Sequence, residues 1–171
     1  MSARLPLHGL RVLDLASFIA APVATTVLGD YGAEVIKIEP PGEGDPQRKL
    51  GQAHSIPQHP VNFCWHMTNR NKKAIALDLK HAEGRAVFER LVRTADIMVV
   101  NFPLKVRARL GLRYADVAPL NPKLIYASLT GYGESGPDAE QPGFDSTAFF
   151  ARSGLLDALT YEGGPPAFSL P

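Results

Sequence analysis

Two aspartates occupy positions from which a carboxylate could take part in catalysis. Asp14 lies inside an apolar stretch typical of a strand, and Asp145 follows the residues PGF at 142–144, where a glycine-rich loop meets a helical pattern. An aspartate at such a junction most often caps the helix or places a charge in its first turn. Loops at the mouth of a sheet also carry catalytic carboxylates, so both roles stay open for Asp145. For Asp14 we expect a hydrogen bond to the backbone at the end of the strand.

Basic side chains form a second candidate group. Asn101 and Phe102 end an apolar run, and they are followed by Lys105, Arg107, Arg109 and Arg113. If the run is a strand of a parallel sheet, these charges lie near its carboxyl end and could receive the phosphates of a nucleotide-like ligand. A solvated helix accounts for them equally well. The run NRNKK at 69–73 is most simply a solvated turn.

Histidine and cysteine form no recognisable metal motif. None of the five histidines pairs at a helical metal spacing, and the single cysteine, Cys64, has no second cysteine with which to bind a metal or form a disulfide. The sequence also lacks the P-loop and GxGxxG motifs of nucleotide-binding folds and the GxSxG elbow of serine hydrolases. We therefore expect no metal site.

Charge and apolar content restrict the class of protein. Lys and Arg number 18 against 17 Asp and Glu, and a net charge of +1 argues against a general nucleic-acid binder. Apolar residues make up 45% of the 171 residues, as in an ordinary globular protein. No apolar run approaches the ~18 residues of a membrane span, and the first residues do not resemble a signal peptide. We expect a cytoplasmic protein with neither a membrane nor a nucleic-acid partner.

The elements that must position these residues alternate between strand and helix. Strands are predicted at residues 10–15, 35–38, 74–77, 97–100 and 124–129, and helices at 21–31, 61–67, 81–94 and 144–155. Residues 40–60, rich in Gly, Pro and His, are predicted to form a long loop. This order predicts an α/β fold with a parallel sheet and helices on both faces, whose ligands bind beyond the carboxyl ends of the strands.

Six segments carry a resemblance to a known family, in order over nearly the whole chain. They are LHGLRVLDL at 7–15 with LGDYGAEVIKIEPPG at 28–42, NRNKK at 69–73 with LDLK at 77–80, ADIMVVNF at 95–102, RLG at 109–111, LNPKLIYAS at 120–128, and GYG at 131–133 with GP at 136–137. Together they resemble the class III CoA-transferases, the family of formyl-CoA transferase, the carnitine-CoA transferases and alpha-methylacyl-CoA racemase.

The resemblance implies the architecture of the whole protein. It implies a large CoA-binding domain of Rossmann-like α/β type and a homodimer in which two ring-like subunits interlock. Members of the family are more than twice as long as this chain. Residues 1–171 are therefore expected to be the N-terminal part of the large domain, without the small domain and the C-terminal segment.

The resemblance also implies a reaction. In the transferases an aspartate attacks the thioester of an acyl-CoA and forms a mixed anhydride, and CoA is then passed to a small carboxylic acid. That aspartate follows a Gly-Pro-Pro-like turn, which corresponds here to residues 164–166, so the nucleophile is expected beyond Pro171. Asp145 corresponds to a second, supporting acid. The run from 144 to 154 is most similar to transferases of 2-hydroxy or aryl acids such as phenyllactate.

By position, the CoA contacts of the family correspond to five residues of this chain. They are Phe18, Leu77, Asn101, Phe102 and Arg109. Some members carry an arginine just after the second strand, where this chain has Pro40, so one phosphate or adenine partner is missing here.

Two alternatives to a transferase remain. The racemases have a histidine at the position of Phe144, and a phenyl ring cannot exchange a proton, so Phe144 favours a transferase over a 2-methylacyl-CoA racemase. A CoA-binding fragment without catalytic activity is the other alternative.

Overall fold

Parallel strands and helices alternate along the first three quarters of the chain. The computed structural model describes residues 4–51, 53 and 56–165. The chain divides into two compact units, Met1–Leu129 and Thr130–Pro171. The first unit contains all of the predicted strands, and the second contains Asp145.

The strands of the first unit form one parallel sheet. They are β1 (Arg11–Leu15), β2 (Glu34–Glu39), β3 (Lys72–Ala76), β4 (Ile97–Val100) and β5 (Ile125–Ser128). Among the described residues the sheet has five strands in the order β3-β2-β1-β4-β5, and every neighbouring pair is parallel. The predicted α/β fold is confirmed. Strand β3 begins earlier than predicted because Lys72 and Lys73 pair with Val35 and Ile36 of β2.

The helices cover both faces of this sheet. In chain order they are α1 (Ala20–Asp30), α2 (Gln47–Leu50), α3 (Phe63–Asn69), α4 (Ala82–Arg93), α5 (Leu104–Leu110) and α6 (Tyr114–Val117). One apolar cluster joins Leu13 and Met98 to Phe88 of α4, and a second joins Val12 to Ala21 of α1. Because side chains alternate along β1, its two faces contribute to different clusters.

Helix α1 begins and ends one residue earlier than predicted, and its proline and glycine act at its two ends as expected. Pro22 lies in the first turn, where its missing N–H leaves no hydrogen bond unmade. Gly32 follows the helix with φ +104°, in the left-handed region, and a Cβ there would lie 2.6 Å from Cβ of Leu5. Glycine is therefore required at this turn for both its conformation and its size.

Residues 40–60 are not a continuous loop, because they contain the short helix α2. Helix α3 begins two residues later than predicted, since Asn62 caps it: its Oδ1 accepts a hydrogen bond from the backbone N–H of Trp65 at 3.1 Å. Within the described ranges, every helix is too short or too polar to cross a membrane.

The single helix predicted at 144–155 is wrong. The second unit instead has a π-helix (Asp145–Ala151) and then α7 (Leu155–Ala158). In the π-helix the N–H of Arg152 reaches the carbonyl of Thr147, five residues back, at 3.1 Å. Gly154, with φ +79°, separates the two helices. Of the turn expected at 164–166, residue 166 lies outside the described residues, as does Pro171.

Candidate functional site

The strand order reverses between β1 and β4, and we call the space beyond the carboxyl ends of these two strands the switch point. Strands β2 and β3 follow on one side of β1, and strands β4 and β5 lie on the other. Asn101, just after β4, connects the two sides of the switch point. Its Oδ1 accepts a hydrogen bond from the N–H of Ser17, and its Nδ2 donates one to the carbonyl of Ser17, each at 2.9 Å. Open α/β sheets bind their ligands at this point.

Phe18 lies in the loop between β1 and α1, next to the switch point. Its φ is +64°, which bulky L-residues rarely adopt, and its side chain is 41% exposed. Its N–H donates to Oδ1 of Asp45 at 3.1 Å. The loop therefore presents an aromatic ring at the ligand-binding edge of the sheet.

Helix α1 starts in the same loop without a side-chain cap. Its N-cap residue is Ile19, and its first turn has no acidic residue. The first N–H groups of a helix carry a partial positive charge when no side chain accepts from them. This end of the sheet can therefore stabilise negative charge.

Leu77 and Phe102 contribute apolar surface at the same edge. Both are partly buried and pack against the cluster that contains Phe88. Leu77 also lines an open cavity of about 360 Å³, together with Asp78, His81 and the first turn of α4. These two side chains can form part of an apolar wall for a ligand.

The basic residues after β4 do not form one group. Arg107 is only 1% exposed; it donates to the carbonyl of Phe102 and to Oγ of Ser128, both at 2.6 Å. It anchors α5 to the sheet, so the expectation that it could receive a phosphate is wrong. Arg113 is paired with Asp116 at 2.8 Å. Arg109 is exposed, and none of the described residues pairs with its guanidinium.

Asp14 belongs to a buried cluster of charges. Its Oδ1 accepts from the N–H of Ala16 at 3.0 Å, as predicted. Its Oδ2 accepts from Nζ of Lys72 at 2.8 Å, and Lys37 lies 3.8 Å from its other oxygen. The interpretation of 69–73 as a solvated turn is therefore wrong for Lys72. Burial lowers the pKa of Lys72, and the Asp14 carboxylate opposes that shift.

Lys37 and Asp45 complete the charge cluster, and sequence reasoning missed them. Nζ of Lys37 lies 2.9 Å from Oδ2 of Asp45, and both side chains are almost completely buried. The available signal was a lysine between Ile36 and Ile38 in a strand predicted to be buried. A buried lysine needs an acidic partner, and Asp45 follows in the next loop.

Asp145 occupies the first turn of the π-helix in the second unit. The N-cap residue is Phe144, so Asp145 is a first-turn charge and makes no N-cap hydrogen bond. Its side chain is exposed, and none of the described residues bonds to its carboxylate. Gly131 and Gly143 pack together before this turn, since a Cβ on Gly143 would lie 2.5 Å from Cα of Gly131. The carboxylate is thus available for interaction with a ligand.

The described residues bring together no group of three His, Cys, Asp or Glu side chains that could hold a metal ion. What they do bring together, within the first unit, is Phe18 and Asn101 at the switch point and Phe102 directly after Asn101. Leu77 lies at the end of β3, two strands from β1, and Arg109 lies in the last turn of α5.

Several characterised proteins are similar to this chain. It is 43% identical over 164 residues to a cinnamoyl-CoA:phenyllactate CoA-transferase of Clostridium sporogenes, covering 95% of this chain and 40% of that protein. It is 46% identical over 163 residues to a succinate–glutarate CoA-transferase of Agrobacterium fabrum, covering 94% of this chain and 40% of that protein. The chain thus spans about 40% of the length of the curated relatives it matches.

Solved structures share the fold. A CaiB/BaiF family protein from Brucella suis matches with a TM-score of 0.85 and 35% identity, over 98% of this chain and 44% of that one. Rv3272 from M. tuberculosis matches with a TM-score of 0.83 and 37% identity, over 96% of this chain and 44% of that one. The sequence profile of CoA-transferase family III matches residues 7–170. Since that match includes almost every residue of both units, the chain belongs to CoA-transferase family III.

Proposed function

We propose that the protein is an acyl-CoA:carboxylate CoA-transferase, and that residues 1–171 are the N-terminal part of its CoA-binding large domain. The family match over residues 7–170 carries this proposal. The relatives from C. sporogenes and A. fabrum, both CoA-transferases, support it. The full length of those relatives, of which this chain spans 40%, supports the assignment to an N-terminal part.

CoA binds at the carboxyl edge of the sheet. Phe18 and Leu77 provide apolar surface for it, and Phe102 completes the wall beside Asn101. Because Oδ1 and Nδ2 of Asn101 both bond to Ser17, Asn101 contributes by fixing the loop that carries Phe18. Arg109 is exposed and binds a phosphate of CoA, since a guanidinium donates two parallel hydrogen bonds to phosphate oxygens.

The reaction proceeds through an aspartyl anhydride. A carboxylate attacks the thioester carbonyl, an acyl–oxygen bond forms, and the CoA thiolate leaves with the electron pair of the broken carbon–sulfur bond. The thiolate then attacks the enzyme carbonyl of the anhydride, which releases the donor acid as a carboxylate and leaves the aspartate as a CoA thioester. The acceptor carboxylate attacks that thioester and forms a second anhydride, and the released thiolate takes the acceptor's acyl group from it, which restores the aspartate. The attacking aspartate lies beyond residue 171, and Asp145, exposed in the first turn of the π-helix, supports the reaction. The chemistry needs no metal.

The acceptor is a small carboxylic acid, of the 2-hydroxy or aryl class. The name of the C. sporogenes relative, which includes phenyllactate, supports this class. The protein acts in the cytoplasm as a homodimer. Large exposed side chains on two helices that touch, Val27 of α1 and Met67 of α3, support an interface in the complete protein.

Trapping the acyl-enzyme tests the proposal. The full-length protein is incubated with an acyl-CoA, treated with hydroxylamine, and searched by mass spectrometry for a modified aspartate. We expect one modified aspartate beyond residue 171, and we expect Asp145→Asn to slow turnover while the modification persists. Modification at Asp145 would contradict the assignment. Exchange of the α-proton with deuterated water in the absence of an acceptor acid would instead indicate a racemase.

A further inference from the structure

Asp45 lies buried between the loop that carries Phe18 and helix α2. It is 3% exposed. Its Oδ1 accepts from the backbone N–H of Phe18 at 3.1 Å and from that of Gln47 at 2.9 Å, and its Oδ2 forms an ion pair with Nζ of Lys37 at 2.9 Å. One carboxylate therefore fastens the β1–α1 loop, helix α2 and strand β2 together.

Side chains from other elements hold the backbone of the loop at residues 16–18. Asp14 accepts from the N–H of Ala16, and Lys37 donates to the carbonyl of Ala16 at 2.8 Å. Asn101 bonds to both the N–H and the carbonyl of Ser17. Asp45 accepts a hydrogen bond from the N–H of the next residue, Phe18. Hydrogen bonds with four side chains of the chain itself therefore hold the backbone of this loop.

Phe18 needs this support more than its neighbours. Its φ of +64° lies in the left-handed region, where the Cβ of an L-residue crowds the backbone. Residues in that region persist when the surrounding structure holds them, and they concentrate at ligand-binding sites. The hydrogen bond from the Phe18 N–H to Asp45 acts directly on the backbone of the strained residue.

Asp45 is itself held in place by a chain of interactions. Its backbone N–H donates to Oε2 of Glu39 at 2.9 Å. Glu39 accepts two hydrogen bonds from Arg48, at 2.7 and 2.6 Å, and Arg48 lies over the ring of Trp65 at 3.7 Å from the ring centre. The position of the carboxylate is thus set from α2 and α3.

We infer that Asp45 is a positioning residue for CoA binding, which holds Phe18 in its left-handed conformation so that the ring faces the ligand. The inference rests on the proposed function, because the Phe18 ring is assigned there to the CoA site. Asp45 does not touch the ligand; it acts through Phe18. A glycine at position 18 adopts a positive φ without strain. Phe18→Gly therefore removes both the ring and the backbone strain that Asp45 offsets.

A double-mutant cycle in the full-length protein tests this inference. CoA affinity is measured by calorimetric titration for the unmodified protein, Asp45→Asn, Phe18→Gly and the double variant, after circular dichroism has checked their folding. Asp45→Asn should weaken CoA binding about tenfold, since it makes the acceptor of the Phe18 N–H neutral and places an amide NH2 against the ammonium of Lys37. In the Phe18→Gly background the same change should alter affinity by less than about twofold. The control is Glu43→Gln, because Glu43 lies in the same β2–α2 loop as Asp45 but its side chain is 84% exposed. This variant should bind CoA like the unmodified protein.

Asp45→Glu provides a second variant if Asp45→Asn does not fold. It keeps the negative charge beside Lys37 but moves the carboxylate, so the same loss of affinity and the same dependence on Phe18 are expected. An equal loss of affinity with and without the Phe18 ring would overturn the inference, because a general structural role gives that result. Unchanged affinity in folded Asp45→Asn would also overturn it, while the proposed function would stand. No CoA binding by the unmodified protein would overturn both.

Discussion

Arg107 and Arg109 lie two residues apart on α5, yet their side chains meet different surroundings. Arg107 is buried, and its guanidinium donates hydrogen bonds to the carbonyl of Phe102 after β4 and to Oγ of Ser128 at the end of β5. Arg109 points from the last turn of the same helix into solvent. The sequence alone does not show which of the two side chains is buried, because a seven-residue helix is too short for a clear apolar periodicity. Of the two, Arg109 is the one whose guanidinium is exposed, and it is therefore the one we propose to bind a phosphate of CoA.

Replacing Arg109 by alanine in the full-length protein should weaken CoA binding about tenfold to a hundredfold, because a paired guanidinium–phosphate contact is worth ~1.5–3 kcal/mol. Calorimetric titration with CoA measures the effect. Arg90→Ala is the matched control, since Arg90 is also an exposed arginine in the last turn of a helix. Equal losses in the two variants would show that Arg109 contributes only general charge.

Glu39 is an almost buried carboxylate whose charge depends on Arg48. Burial raises the pKa of Glu39, but the Arg48 hydrogen bonds and the backbone N–H of Asp45 outweigh it and hold the pKa below its ordinary value of 4.5. The unfolded chain therefore binds a proton more readily than the folded protein. The stability that Glu39 contributes is present above pH 4.5 and is lost as the pH falls through the lowered pKa.

Removing the arginine should weaken this pH dependence. In Arg48→Met only the backbone N–H of Asp45 and the charge of Lys37 still oppose the effect of burial, so the pKa of Glu39 rises, and the free energy of unfolding should fall less between about pH 6 and about pH 3.5 than in the unmodified protein. Urea titrations at the two pH values measure the difference. The next residue, Lys49, provides the control: its ion pair with Glu43 is exposed, and Lys49→Met should keep the original pH dependence. Parallel pH curves for Arg48→Met and the unmodified protein would contradict the assignment.

At the scale of elements, helix α4 lies so close to the loop after β3 that its first turn needs a glycine. A Cβ on Gly84 would lie 2.2 Å from the backbone carbonyl oxygen of Asp78, which cannot move without shifting the loop. That loop carries Leu77, and both segments line the cavity of about 360 Å³. The close approach therefore sets the width of one part of the proposed CoA site.

Gly84→Ala should destabilise the protein by about 1–3 kcal/mol, although alanine is favoured over glycine in a helix by about 1 kcal/mol. Urea unfolding measures the change in free energy. Glu83→Ala, one residue earlier and exposed, should change it by no more than about 1 kcal/mol. An alanine variant at 84 that is more stable than the unmodified protein would mean that the loop yields at little cost.

The sequence predicted the sheet well because its strands are short apolar runs separated by clear turn signals. Residues 97–100 agree with β4 at both ends, and the other predicted strands overlap the observed ones. The break at Gly154 escaped prediction, because an isolated glycine in a helical pattern is compatible with a continuous helix. The pairing of Lys37 with Asp45 also escaped it: a lysine in an apolar strand signals the need for an acidic partner, but tertiary packing decides which carboxylate meets it.

At the scale of the whole molecule, the site residues divide between the two units. Phe18, Leu77, Asn101, Phe102 and Arg109 all lie in Met1–Leu129, together with the sheet and both apolar clusters. Asp145 lies in Thr130–Pro171. The residues proposed to bind CoA and the residue proposed to support the chemistry thus lie in different compact units of the chain.

This division makes a prediction about truncated chains. A protein of residues 1–129 keeps every strand of the described sheet and all five residues of the proposed CoA site, so it should fold and bind CoA with an affinity within about threefold of that of residues 1–171. Circular dichroism and calorimetric titration measure the two properties. Neither chain should transfer CoA between acids, because the attacking aspartate is expected beyond residue 171. A folded 1–129 chain that does not bind CoA, next to a 1–171 chain that does, would place essential contacts in the second unit. Turnover of an acyl-CoA by residues 1–171 would mean that Asp145 or another carboxylate within the chain is the nucleophile.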